Sequence, residues 1–253
     1  MKNKLIFVLL FVILGFVLMQ VPVNTLAGSR VKFTLFDLFA PISGAFLGTV
    51  WGIVAVFAMQ VANMFVHGAN FDKGSIIRLF PTLFAVWYFA NSSGMSFWGS
   101  GDSRRLQNHS KYADSGQVLD PDLRARMTSF LVFLVPLIAI ISFNIHPIGR
   151  SVWYYSLFWL IPVVMWRFKE RFLLARSLGA TFTAHAVGGA IWIWAFNLPA
   201  AVWVSLIPVV ILERSIFALG ISASYIMINN VLAYLASKKL LPLGINLDKK
   251  YLL

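Results

Sequence analysis

The chemistry this chain could do rests on a few ionisable and amide side chains set within long apolar runs. Asp37 lies in the stretch Phe33-Thr34-Leu35-Phe36-Asp37-Leu38-Phe39-Ala40-Pro41-Ile42-Ser43-Gly44, which continues through Gly48 to Gly52. Asn63 and His67 close the next apolar run, and Arg78 opens the one after it. Asn144, His146 and Arg150 close a later run, Trp194 and Asn197 close another, and Glu213-Arg214 interrupts the last. Asp37, Asn63, His67, Arg78, Trp194 and Asn197 form the candidate substrate-binding set. Asp37 would accept hydrogen bonds from, or pair with, an amine-bearing solute. Arg78 would hold an anionic group. An ionisable group in apolar surroundings is costly unless it faces a partner, a cavity or a ligand.

Each of these groups also has a structural reading. Asp37 and Arg78 can neutralise each other, because buried charges are usually paired. Glu213-Arg214 can be a salt bridge at a membrane interface. His67 and His146 sit where helix ends are capped. His185, among alanines and glycines, suits a hydrogen bond between helices.

Much chemistry is excluded. The chain has no cysteine, so disulfides, thiolate metal sites and cysteine nucleophiles are absent. Its four histidines show no i, i+4 ligand spacing. No G-x-S-x-G, H-E-x-x-H or glycine-lysine phosphate loop occurs. No catalytic residue, metal ligand or cofactor is therefore assigned. Any ATP-driven uptake would need its ATPase on another chain.

The bulk composition places these groups in a membrane. Of 253 residues, 59% are hydrophobic and 12% charged, against about 25% charged in a soluble domain. The net charge of +12 is read as basic loops held on the cytoplasmic side, not as a nucleic-acid surface. The expected architecture is a single all-α transmembrane domain over 1–253, a polytopic bundle of about six to eight spans.

The elements that must position the polar groups follow in order. A basic start precedes an apolar run over 5–19, read as a retained helix in preference to a cleaved signal. The block 35–66 is too long for one span; Pro41 and Gly48-Thr49 offer places to break it, and a tight turn is read at Gly48-Thr49. That gives a short helix to Leu47 and a second over 50–66. Spans are expected over 75–90, 127–145, 152–166 and 178–196. Residues 91–125 read as a polar cytoplasmic loop. Residues 202–212 are half a span long and read as interfacial or re-entrant. A last helix is expected over 215–236, with 237–253 as a cytoplasmic tail.

Eight crossings with both termini cytoplasmic put all but six of the 21 lysines and arginines inside. The exceptions are Arg30, Lys32, Lys73, Arg78, Arg150 and Arg214. In this topology the six candidate site residues converge on the outer half.

The run from Phe33 through Asp37 and Pro41 to Gly44, Gly48 and Gly52 resembles the second and third helices of substrate-binding S components of energy-coupling factor (ECF) transporters. The segments His185-Ala186-Val187-Gly188-Gly189, Leu206-Ile207-Pro208 and Glu213-Arg214 resemble their closing helices. That resemblance implies a membrane subunit that captures a vitamin-like or other small solute from outside. It also implies a separate transmembrane coupling subunit and ATPase subunits as partners, with membrane lipid around them. The chain departs from the family pattern in its extra pair of spans near 127–167 and in having no alanine between Leu5 and Val23. The other readings are a membrane enzyme acting on lipid or isoprenoid substrates and a cell-envelope scaffold.

Overall fold

The computed structural model describes residues 2–25, 32–67, 73–92, 121–240 and 247–253. Helix α1 (Lys2–Met19) leads into a two-stranded antiparallel ladder, β1 (Pro22–Thr25) with β2 (Lys32–Thr34). Next come α2 (Leu35–Leu47), α3 (Thr49–Val66) and α4 (Lys73–Ser92). After α5 (Pro121–Ile145) come α6 (Pro147–Ser151), a 3-10 helix (Trp153–Leu160) and α7 (Ile161–Trp166). The chain ends with α8 (Leu173–Phe196), α9 (Ala200–Ser237) and a 3-10 turn (Lys249–Tyr251).

Two helices organise the packing. The short α2 contacts α1, α3, α4 and α9, while α8 contacts α4, α5, α7 and α9. Every residue of α2 from Phe39 to Leu47 is buried. The expected break at Gly48-Thr49 is present. Gly48 has φ 83° and ψ 158°, a region that essentially only glycine occupies. The chain therefore reverses in one residue. Gly44 and Gly52 then face each other across the reversal, and a Cβ on Gly52 would lie 2.6 Å from the Gly44 Cα. The four-residue glycine spacing thus builds a contact between α2 and α3, with no single helix carrying the ladder. On its other side, a Cβ on Gly44 would lie 2.7 Å from the Val86 carbonyl oxygen of α4.

The core divides into two apolar clusters. The first gathers α1 to α4 with the start of α8 and the later part of α9, around Phe39, Phe46, Phe89 and Tyr225. The second gathers α5, the 3-10 helix, the later part of α8 and the start of α9, around Phe143, Tyr155, Trp159 and Trp203. Helices α8 and α9 run through both.

The outer surface is apolar too. Ile6, Leu9, Leu10, Ile13 and Val17 of α1 are exposed, as are Phe130, Phe133, Leu137, Ile138 and Ile141 of α5. Soluble monomers rarely expose contiguous apolar patches of this kind beyond a few hundred Å². Among the described residues, three helices are long and apolar enough to cross a membrane: α3, the 127–145 part of α5, and α9.

Several expectations change. Residues 202–212 and 215–236 are one continuous helix of 38 residues, not a half-span followed by a separate one. Its length is about 57 Å at 1.5 Å per residue. Glu213-Arg214 does not end a helix because both side chains find partners inside the bundle. Residues 152–166 are not a regular span. They begin as a 3-10 helix and become α-helical at Ile161, where Pro162, with no N–H to give, occupies the first turn. Helix α5 starts earlier than expected, with Pro121 at its first position. The β1–β2 ladder was not foreseen in an all-α reading. Most of the expected polar loop at 91–125, namely residues 93–120, lies outside the described residues.

Replacing Gly48 with alanine forces a side chain into that backbone conformation, at a cost of about 1–3 kcal/mol. Thermal unfolding in detergent should show a lowered melting temperature for Gly48→Ala. An unchanged melting temperature would refute the one-residue reversal.

Candidate functional site

The polar centre of the bundle forms where the two apolar clusters meet. On α8, Ala180 belongs to the first cluster while Phe182 and Ala186 belong to the second. On α9 the change falls between Val210 and Ile221. Thr181 and His185 of α8 lie one turn apart, and Tyr155 and Trp159 of the 3-10 helix both reach His185. Glu213 and Arg214 project from the middle of α9 into the same seam.

Arg214 ties the group together. Its guanidinium lies 3.3 Å from Glu213 Oε2 and donates to the Thr181 hydroxyl at 3.2 Å. It stacks over the Phe217 ring at 4.5 Å and the Phe33 ring at 5.6 Å, a geometry that favours a cation on an aromatic face. It is also within Coulombic range of Asp37, Tyr155 and His185. The Glu213 side chain is only 7% exposed and that of Arg214 11%.

The imidazole of His185 is held from both sides. The Trp159 indole N–H donates to Nδ1 at 3.0 Å, and Nε2 lies 3.0 Å from the Tyr155 hydroxyl oxygen. Indole only donates, so Nδ1 must be the bare nitrogen. The ring proton of the neutral imidazole then sits on Nε2 and is donated to Tyr155. The hydroxyl proton of Tyr155 is left to point elsewhere, and it has no protein acceptor among the described residues. Rings of Phe158 and Phe182 pack around the imidazole at 6.4 Å and 6.0 Å.

Two atoms of the cluster are buried without a hydrogen-bond partner, Glu213 Oε1 and Arg214 Nε. Buried polar groups are nearly always satisfied, and an unsatisfied one costs about 1–3 kcal/mol. The seam therefore holds one unpartnered acceptor and one unpartnered donor, on the two residues of a single ion pair. That pattern suits a small polar molecule with its own donor and acceptor.

The six residues singled out from the sequence divide into separate groups. Asp37 joins the seam. Its carboxylate accepts the Thr34 backbone N–H at 2.7 Å, which caps α2, and it lies within Coulombic range of Arg214. The alternative pairing of Asp37 with Arg78 is not formed. Arg78 is exposed on α4, two helices away along the chain. Asn63 and His67 lie at the far end of α3, where Gln20 donates to the Asn63 side chain at 3.1 Å and His67 contacts the Asn63 carbonyl at 3.1 Å. Trp194 is half exposed and donates to the Ser142 hydroxyl at 3.0 Å. Its ring meets the His146 imidazole edge-on at 4.9 Å. Asn197 is the left-handed cap of α8, with φ 47°. His146 caps α6 by accepting the Ile148 N–H at 3.3 Å.

Sequence reasoning left out Tyr155, Trp159 and Thr181 and read His185 and Glu213-Arg214 as structural. Two signals were present: the i, i+4 pairs Tyr155/Trp159 and Thr181/His185, and the lone Glu-Arg dipeptide in an otherwise unbroken apolar run. Among the described residues no cluster of histidine, aspartate and glutamate suits a metal ion.

Breaking a buried ion pair from one side leaves an uncompensated charge and costs about 3–5 kcal/mol, whereas apolar replacement of both is far milder. In detergent unfolding experiments, Arg214→Leu should destabilise more than the double variant Glu213→Leu/Arg214→Leu. Additive losses from the two single variants would contradict a coupled buried pair.

No family model, curated protein or solved structure matches this chain, so the role of the seam rests on its own geometry.

Proposed function

We propose that the chain is a membrane-embedded solute-binding subunit, with its site in the seam between α8, α9, the 3-10 helix and α2. The observation that carries this reading is the pair of buried, unpartnered atoms Glu213 Oε1 and Arg214 Nε. Ionisable groups inside a membrane bundle mark solute or ion pathways by default. Arg214 supplies the donor for an anionic or carbonyl oxygen. Glu213 accepts from an amine or amide N–H. The rings of Tyr155 and Trp159, packed edge to face, and of Phe182 give an apolar surround. The solute class is a small molecule with adjacent hydrogen-bond donor and acceptor, as vitamins and nucleobases have.

The resemblance of the α2–α3 stretch and of α8–α9 to ECF S components extends this reading. The chain would be a multi-pass protein of the cell membrane with six to eight crossings, and the basic ends at 167–176 and 237–253 would face the cytoplasm. It would deliver its solute with a transmembrane coupling subunit and ATPase subunits. Ala58 and Ala62, exposed on α3, offer small residues for close helix contact with the coupling subunit.

The test is binding of labelled vitamins and nucleobases to the purified full chain, in parallel with uptake into cells that express it. One solute should bind saturably. Truncating a buried hydrogen-bonded charge typically costs 2–5 kcal/mol, so Arg214→Leu should weaken binding by about 30-fold or more. Binding that is indifferent to Arg214, or a panel in which nothing binds, would overturn the proposal.

A further inference from the structure

Away from the seam, the last seven residues lie in a second polar arrangement at the basic end of the bundle. The side-chain amide of Asn229 pairs with the backbone of Asp248 in both directions. It donates to the Asp248 carbonyl at 3.0 Å and accepts the Asp248 N–H at 2.9 Å. One residue on, Asn230 repeats the pattern further along the tail. It donates to the Tyr251 carbonyl at 2.8 Å and accepts the Leu253 N–H at 2.7 Å. Two adjacent asparagines of α9 thus satisfy four backbone groups of the tail.

The carboxylate of Asp248 is read separately. The Tyr225 hydroxyl donates to its Oδ2 at 3.0 Å, and Arg176 of α8 lies 3.8 Å from the same oxygen. Arg176 is itself oriented by donating from Nε to the Lys169 carbonyl at 2.7 Å. Lys250 reaches across to the carbonyls of Glu170 and Arg171 at 3.2 Å and 3.0 Å. Tyr251 and Leu247 lay their apolar parts against the first core cluster. The receiving residues are mostly buried, with Asn229 at 0% exposure and Arg176 at 4%.

These contacts read backbone by amide pairing and one side chain by charge, so main-chain hydrogen bonds supply affinity and a side-chain pocket supplies specificity, as in peptide recognition generally. We infer that the basic ends of α8 and α9 form a docking site for a short peptide that carries a carboxylate side chain at the start of a 3-10 turn, and that residues 247–253 occupy it as a detachable strap. A seated strap ties α8 to α9 below the solute seam, with the Ser177–Ser222 hydroxyl contact at 2.8 Å bridging the same two helices nearby. A released strap leaves the docking site open to a partner segment of the same chemistry.

The experiment uses the full chain in detergent micelles. Because the chain has no cysteine, Leu253→Cys carries a single nitroxide label on a fully exposed side chain. Its mobility is followed by electron paramagnetic resonance. A synthetic peptide with the sequence of residues 247–253 is then added up to millimolar concentration, the range needed to compete with a short tether. A second peptide carries Asp248→Asn. The native tail should be immobilised, and the first peptide should mobilise it at least tenfold more effectively than the second. In the Asn229→Ala/Asn230→Ala chain, checked for folding by its elution and melting, the label should be mobile without peptide. A label that is mobile in the native chain, or that stays immobile in the folded double variant, would overturn the docking site. A label that neither peptide displaces, or that both displace equally, would overturn the exchangeable, carboxylate-reading strap. None of these outcomes depends on solute binding.

Discussion

The ion pair of Glu213 and Arg214 constrains the rest of this structure. A guanidinium and a carboxylate inside an apolar bundle are tolerated only if they meet and if their remaining hydrogen-bonding atoms are served. Here the pair is close, at 3.3 Å, and Arg214 is further served by Thr181 and two phenylalanine rings. That requirement explains why α8 must bring Thr181 and His185 to the middle of α9, and why β2 and the start of α2 must bring Phe33 and Asp37 towards them. It also explains why the apolar core is split in two. The polar seam occupies the space where a single core would otherwise be continuous. The protein leaves unserved one carboxylate oxygen and one guanidinium nitrogen, the atoms on which the proposed binding site rests.

The supporting frame is built for close approach. Helix α2 is short and almost wholly buried, so it can reach α1, α3, α4 and α9 only if small residues let backbones meet. Gly44 and Gly52 do this on either side of the Gly48 reversal. The frame holds Asp37 at the first turn of α2, where its carboxylate caps the helix and faces the Arg214 charge. The same aspartate therefore has a structural duty and an electrostatic one. The tail contacts with Asn229, Asn230 and Arg176 add a second tie between α8 and α9, away from the seam.

Much of the helical frame was legible in the sequence because local signals decide it. A glycine followed at once by a renewed apolar run predicted the break at Gly48, and the long apolar runs predicted α3 and the later part of α5. The polar site was less legible because it depends on which faces meet. Glu213-Arg214 looked like a helix end, since charges usually stop a span. Inside a bundle that supplies partners, the helix runs through them. Arg78 looked like a natural partner for Asp37, yet side-chain direction along α4 turns it outward. The segment around Tyr155 and Trp159 read as a regular span, when it is a 3-10 helix whose two side chains hold His185. The tail read as a polar end because seven residues show no periodicity. Its order comes from asparagines on another element.

The central claim is that the seam around Arg214 holds a solute. The most direct measurement is mass spectrometry of small molecules released from the purified, washed full chain and from the Glu213→Leu/Arg214→Leu variant. The account predicts a polar small molecule carrying donor and acceptor groups, near one per chain, released from the native protein and lost from the folded variant. The same molecules in equal amounts from both proteins, or none from the native protein after incubation with the vitamin and nucleobase panel, would contradict it.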